Sequence, residues 1–137
     1  MSRSSETNGP SPMLAELVAG AEGLGLHGNP GRAAIWGTLT AILEQVPLAH
    51  RRELVTHFPD DVFALFEPRP VVAEADIHVE TEIELEADAA LRGGISLEEA
   101  VELVPEVIRV LRRFIPDEDG TVRAELPPRL RTLWSAL

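Results

Sequence analysis

His50, Glu53 and His57 stand at i, i+3 and i+7 in the run His50-Arg51-Arg52-Glu53-Leu54-Val55-Thr56-His57. On a helix that spacing puts two imidazoles and a carboxylate on one face, the donor set a divalent ion such as zinc accepts. Arg51 and Arg52 lie beside them, and two guanidiniums repel a cation. The plainer reading is a solvated polar face, so no metal and no cofactor is expected, with His50, Glu53 and His57 as the weak candidate set. A second constellation is acidic. Glu74, Asp76, Glu80, Glu82, Glu84, Glu86 and Asp88 fall within 74–88 with no base among them. Such a run can dock on a basic partner, and it also suits a solvated helix start with its linker. Glu80, Glu82, Glu84 and Glu86 are the candidate contact residues there. Trp36, off the main apolar stripe of its helix and beside Gly37, is a candidate aromatic anchor for an interface. Arg109, Arg112 and Arg113 could hold an anion, but Glu102 and Glu106 on the same helix offer them ion pairs.

Nucleophilic and phosphate chemistry find no footing. The chain has no cysteine, and no Ser/His/Asp arrangement, HExxH or paired carboxylate stands out. Gly23-Leu24-Gly25-Leu26-His27-Gly28 has the letters of a GxGxxG, but it follows a helix pattern. A phosphate loop needs a preceding strand. The expectation is a protein that is not an enzyme.

Helical punctuation organises the rest. Ser11 and Pro12 are a cap and a first-turn proline. Leu14, Leu17, Val18 and Ala21 form the stripe of a helix ended by Gly20, Gly23 and Gly25. Asn29-Pro30 opens a second helix, with Ala34, Ile35, Leu39, Ile42, Leu43 and Val46 inward, stopping before Pro47. A third covers 48–57. Phe58-Pro59-Asp60-Asp61 opens a fourth with Val62, Leu65 and Phe66 inward, broken by Pro68 and Pro70. Between 71 and 87, alternation of Ile77, Val79, Ile83 and Leu85 with acids permits a strand. Thr81 and Glu84 form a capping box, and Ile83, Ala87, Ala90 and Leu91 repeat at helical spacing with Arg92 in the last turn. We read 81–92 as helix and 71–80 as extended. Ser96 and Glu99, a second capping box, open a long helix whose stripe is Ala100, Leu103, Val104, Val107, Ile108, Leu111, Phe114 and Ile115. Pro105 predicts a kink or break inside it. Shorter helices follow over 116–126 and 127–137.

Composition agrees. The chain has 137 residues, 45% of them apolar, a formal charge of −11, and twelve bases that are all arginine. That is a folded acidic domain with no apolar run near the ~18 residues a membrane span needs. The acidic balance argues against nucleic acid. The start, Ser/Gly/Pro-rich, has no export-signal pattern, so a cytoplasmic protein with a disordered tail over 1–10 is expected.

The chain overlays on itself 68 positions on. Ile35 falls on Leu103, Leu39 on Val107, Ile42 on Val110, Leu43 on Leu111, and Val46 on Phe114. Phe58-Pro59-x-x-Val62-x-x-Leu65-Phe66 falls on Leu126-Pro127-x-x-Leu130-x-x-Leu133-Trp134. One copy is too small to bury its own stripes. The expected fold is therefore all-α: two tandem four-helix units packed about a pseudo-twofold axis. They make a single domain over 11–137, with repeat A at 11–67, a linker at 68–80 and repeat B at 81–137.

The duplicated pattern of capped long helix, short helix and Leu-Pro-x-x-Leu-x-x-Leu-Trp resembles the small helical bacterial family called domain of unknown function 2267. The best matching stretches are 98–111 and 124–134. Pro105, the acidic linker and the glycines of the first helix depart from the pattern. The resemblance implies a duplicated helical fold and brings no catalytic residues. The expected function is a non-catalytic interaction or scaffold module that binds a protein partner or itself. The alternative is a carrier of a small apolar ligand in the groove between the halves.

Overall fold

The computed structural model describes residues 9–45, 52, 54–66 and 82–114. Its elements are α1 (Pro12–Glu22), α2 (Gly28–Leu43), α3 (Asp60–Phe63) running into a 3-10 turn at Ala64–Phe66, α4 (Glu82–Gly93) and α5 (Leu97–Phe114). No strand occurs among the described residues. No helix among them is long and apolar enough to cross a membrane. The extended stretch expected at 71–80, the helices over 116–126 and 127–137, and the box residue Thr81 lie outside the described residues.

The caps follow local chemistry. The Leu14 N–H donates to Ser11 Oγ at 3.2 Å, satisfying an amide that the first turn leaves open. The Ser11 N–H and hydroxyl donate to the two oxygens of Asp61, at 2.6 and 2.7 Å. One carboxylate thereby ties the start of α1 to α3. The box at α5 closes as the sequence predicts: the Ser96 N–H donates to Glu99 Oε1 at 2.9 Å, and the Glu99 N–H donates to Ser96 Oγ at 3.0 Å. Gly94 takes φ +69°, and the Ile95 N–H reaches back to the Ala90 carbonyl at 3.1 Å. This is the left-handed stop that lets α4 turn directly into α5.

Three expectations are corrected. The start of α2 is Gly28 with His27 at the cap position and no side-chain cap bond, rather than a cap at Asn29. Gly28 has φ +63° and makes the entry turn that Asn29 was expected to make. The helix closes at Leu43, with Glu44 as cap, so it stops short of Val46, which lies outside the described residues. Pro105 breaks nothing: α5 runs through it for 18 residues. The carbonyl deprived of its partner belongs to Val101, which is 46% exposed, so water can serve it there.

The core joins all of these elements. Met13, Leu14, Leu17, Ile35, Leu39, Ile42 and Leu43 form one buried cluster with Leu54, Phe58, Val62, Leu103, Val107, Val110 and Leu111. Within it, α2 is the centre, with every residue from Gly37 to Leu43 buried. Both α1 and α4 pack on α2 and on α5. Gly37 explains how closely α4 approaches. A Cβ there would lie 2.3 Å from the Gly93 backbone nitrogen, so only two glycines allow this crossing.

Candidate interaction surface

The side of α4 that faces the core is not the one its apolar spacing predicts. Leu85, Glu86, Asp88 and Ala89 are buried, whereas Ile83 is 69% and Leu91 76% exposed. Ala87 is exposed and Ala90 half-buried. The helix is therefore turned roughly half a revolution from the expected orientation. Two physical causes act together. Ala89 and Gly93 are small enough for the close crossing with α2, which Leu91 is not. Arg92 then bridges one acid carried inward and one at the end of α2: its Nη2 donates to Glu44 Oε1 at 2.6 Å, its Nη1 to Glu44 Oε2 at 3.2 Å, and its Nε to Asp88 Oδ1 at 2.9 Å. The Glu44 and Asp88 side chains are 1% and 2% exposed, so this fork is what makes their burial tolerable.

The consequence is an apolar line facing solvent. Ile83, Ala87 and Leu91 recur at i, i+4 and i+8 along α4. Past the connection at 94–96, Leu97 and Val101, one turn apart at the start of α5, are exposed as well, at 49% and 46%. Four of the five large apolar side chains left exposed among the described residues belong to this stretch; the fifth is Phe63. Glu98 and Glu102 adjoin Leu97 and Val101 in sequence and are exposed. Neither forms an ion pair among the described residues.

The other sequence candidates divide. Trp36 is half-buried against the core. Glu84 is exposed and Glu86 is 5% exposed, so the acidic run does not form one displayed surface. Glu82 opens α4, and Glu80 lies outside the described residues. His57 is exposed, while His50 and Glu53 lie outside the described residues. Arg109 pairs with Glu106 at 2.9 Å along the helix, as spacing predicts, and Arg113 pairs across to Glu16 of α1 at 3.0 Å. Sequence reasoning missed Leu97 and Val101 as surface residues. The available signal was an apolar arc at the start of α5 wider than one packed side requires.

Two recesses lined by described residues bear on the ligand-carrier alternative. The groove between α1 and α5, about 360 Å³, is lined by Ala19, Gly20, Gly23, Leu24, Glu102 and Glu106. Its two carboxylates suit no apolar compound. The recess between α1 and α2, about 210 Å³, is smaller than the ~300–1,000 Å³ of ordinary ligand sites.

Comparison with family models, with curated proteins and with solved structures gives no match.

Proposed function

We propose that the chain is a non-catalytic interaction module, and that the outer face of α4 with the start of α5 is its contact surface. The observation that carries this is that Ile83, Ala87 and Leu91 along α4, and Leu97 and Val101 at the start of α5, are exposed, while the core stripes of α1, α2 and α5 among the described residues are buried. Clustered exposed apolar side chains are what protein interfaces bury. The same reading takes the chain as two duplicated helical units about a pseudo-twofold axis, similar to the domain of unknown function 2267 family. Its support is that Ile42 and Val110, and Leu43 and Leu111, are matched positions buried in one core, and that α1 and α4 each pack on both long helices.

A photo-crosslinking residue placed at Leu91 in the full chain, expressed in its native cell, tests the function. A discrete adduct with one protein species is expected at Leu91 and none from the same probe at Ala15, an exposed position of α1. Equal labelling from both positions would refute it.

A further inference from the structure

We infer that the partner's contacting element is a basic amphipathic helix, one with leucine-like anchors along a single face and lysine or arginine at its margins. This rests on the interaction-module reading and specifies the chemistry of that same surface. Three observations lead there.

The first is the periodicity of the surface. Ile83, Ala87 and Leu91 at four-residue steps on α4, and Leu97 and Val101 at another on α5, present exposed side chains about one helical turn apart within each row. Ala87, the smallest of the three, stands between the two larger side chains in the α4 row. A helix laid across such rows sets its own side chains, spaced three and four apart, into the gaps between them. An extended strand has no matching surface here, because no sheet edge occurs among the described residues.

The second is charge. Glu98 and Glu102 are exposed beside Leu97 and Val101 without an ion pair among the described residues. The nearby cations are committed: Arg92 to Glu44 and Asp88, Arg109 to Glu106, and Arg113 to Glu16. The rim therefore carries unmatched negative charge, on a chain of net charge −11. A basic margin on the partner answers it and speeds encounter.

The third observation weighs against the simplest competing occupant. A second copy would bring the same acids, Glu98 and Glu102, against themselves across a two-fold contact. Like charges facing each other at a self-complementary interface disfavour it.

The test uses the isotope-labelled full chain and two synthetic helices. One is an amphipathic peptide of leucine and lysine, and the other is its twin with every lysine replaced by glutamate. The lysine peptide is expected to shift amide resonances at Ile83, Ala87, Leu91, Leu97 and Val101. Leu91→Ser should weaken its binding about tenfold, the loss that follows removal of one anchor without a change of charge. Leu91 is exposed, so this variant should keep the wild-type melting temperature. Glu98→Lys with Glu102→Lys should transfer the preference to the glutamate twin, and added salt should weaken both charge-matched pairs.

Equal binding of the two peptides, or binding mapped to another surface, overturns the inference. If the glutamate twin alone binds this face of the native chain, the basic partner falls and the interaction-module reading stands. Shifts at these residues that depend on protein concentration without any peptide would make the occupant a second copy. The native chain lacks cysteine, so a spin label on Ser135→Cys is unique. Broadening of the Leu91 resonance by that label within the monomer would make the occupant the chain's own C-terminal residues. Either result removes the foreign partner.

Discussion

Replacing Arg92 with alanine would leave Glu44 and Asp88 buried without the guanidinium that holds both. Removing one partner from a buried ionic cluster typically costs about 3–5 kcal/mol, because an uncompensated charge stays behind. Arg92→Ala is expected to lose stability on that scale in urea unfolding. Arg92→Lys should fall between, since a point charge cannot span two carboxylates as the fork does. Arg109→Ala is the control: its pair with Glu106 is exposed on both sides, and such pairs contribute about 0–1 kcal/mol. Equal losses for Arg92→Ala and Arg109→Ala would show that the fork does not secure α4. Arg92 was legible in the sequence as a charge in the last turn of its helix, favourable to the helix dipole. Its larger task was not legible, because Glu44 is distant in sequence and lies at the end of another helix.

Between elements, glycine substitutions separate packing from propensity. Gly37→Ala adds a Cβ that would lie 2.3 Å from the Gly93 backbone nitrogen and 2.5 Å from its Cα. Backbone cannot rotate aside, so α2 and α4 must part. Overpacking of this kind costs about 1–3 kcal/mol or more, exceeding the ~1 kcal/mol that alanine gains over glycine inside a helix. At Gly20 the added Cβ meets Glu106 Cγ at 2.9 Å; a χ1 turn of that half-exposed side chain relieves the contact, with the loss of an exposed pair with Arg109 that contributes little. Gly20→Ala is therefore expected to be neutral or stabilising by up to ~1 kcal/mol. Thermal unfolding of the two variants should diverge in sign, and a Gly37→Ala protein as stable as wild type would refute the close crossing. Both glycines occur inside helical patterns, where sequence reading assigns them only a loss of helix propensity.

For the whole molecule, Leu43 and Leu111 are 0% and 1% exposed and share one buried cluster. Truncating either to alanine removes buried methylenes and leaves a cavity, at about 2–5 kcal/mol. A domain of this size holds only ~5–15 kcal/mol in all, so each variant should melt well below wild type. Because α1 and α4 both bridge α2 and α5, each variant should unfold in a single transition. Calorimetry of Leu111→Ala that resolved two transitions would show that the chain segments before and after the acidic linker fold independently.

The sequence by itself determined the helical class, the Ser11 and Ser96 caps, the stop after α4, and the inward face of α5. In each case the deciding atoms lie within a few residues of one another: a hydroxyl and an amide three positions apart, a glycine at a positive φ, apolar residues one turn apart. Only the tertiary structure decided which way α4 faces. Two sides of that helix were eligible, one apolar with Ile83, Ala87 and Leu91, the other small and charged with Ala89, Gly93, Asp88 and Arg92. Hydrophobic spacing favours the first. The second won because Gly37 on α2 opens a close crossing that only small residues can enter, and because Arg92 on that side reaches Glu44 at the end of α2 as well as Asp88 of its own helix. Both conditions join residues about fifty positions apart, and pairing over that distance is outside what local periodicity can express.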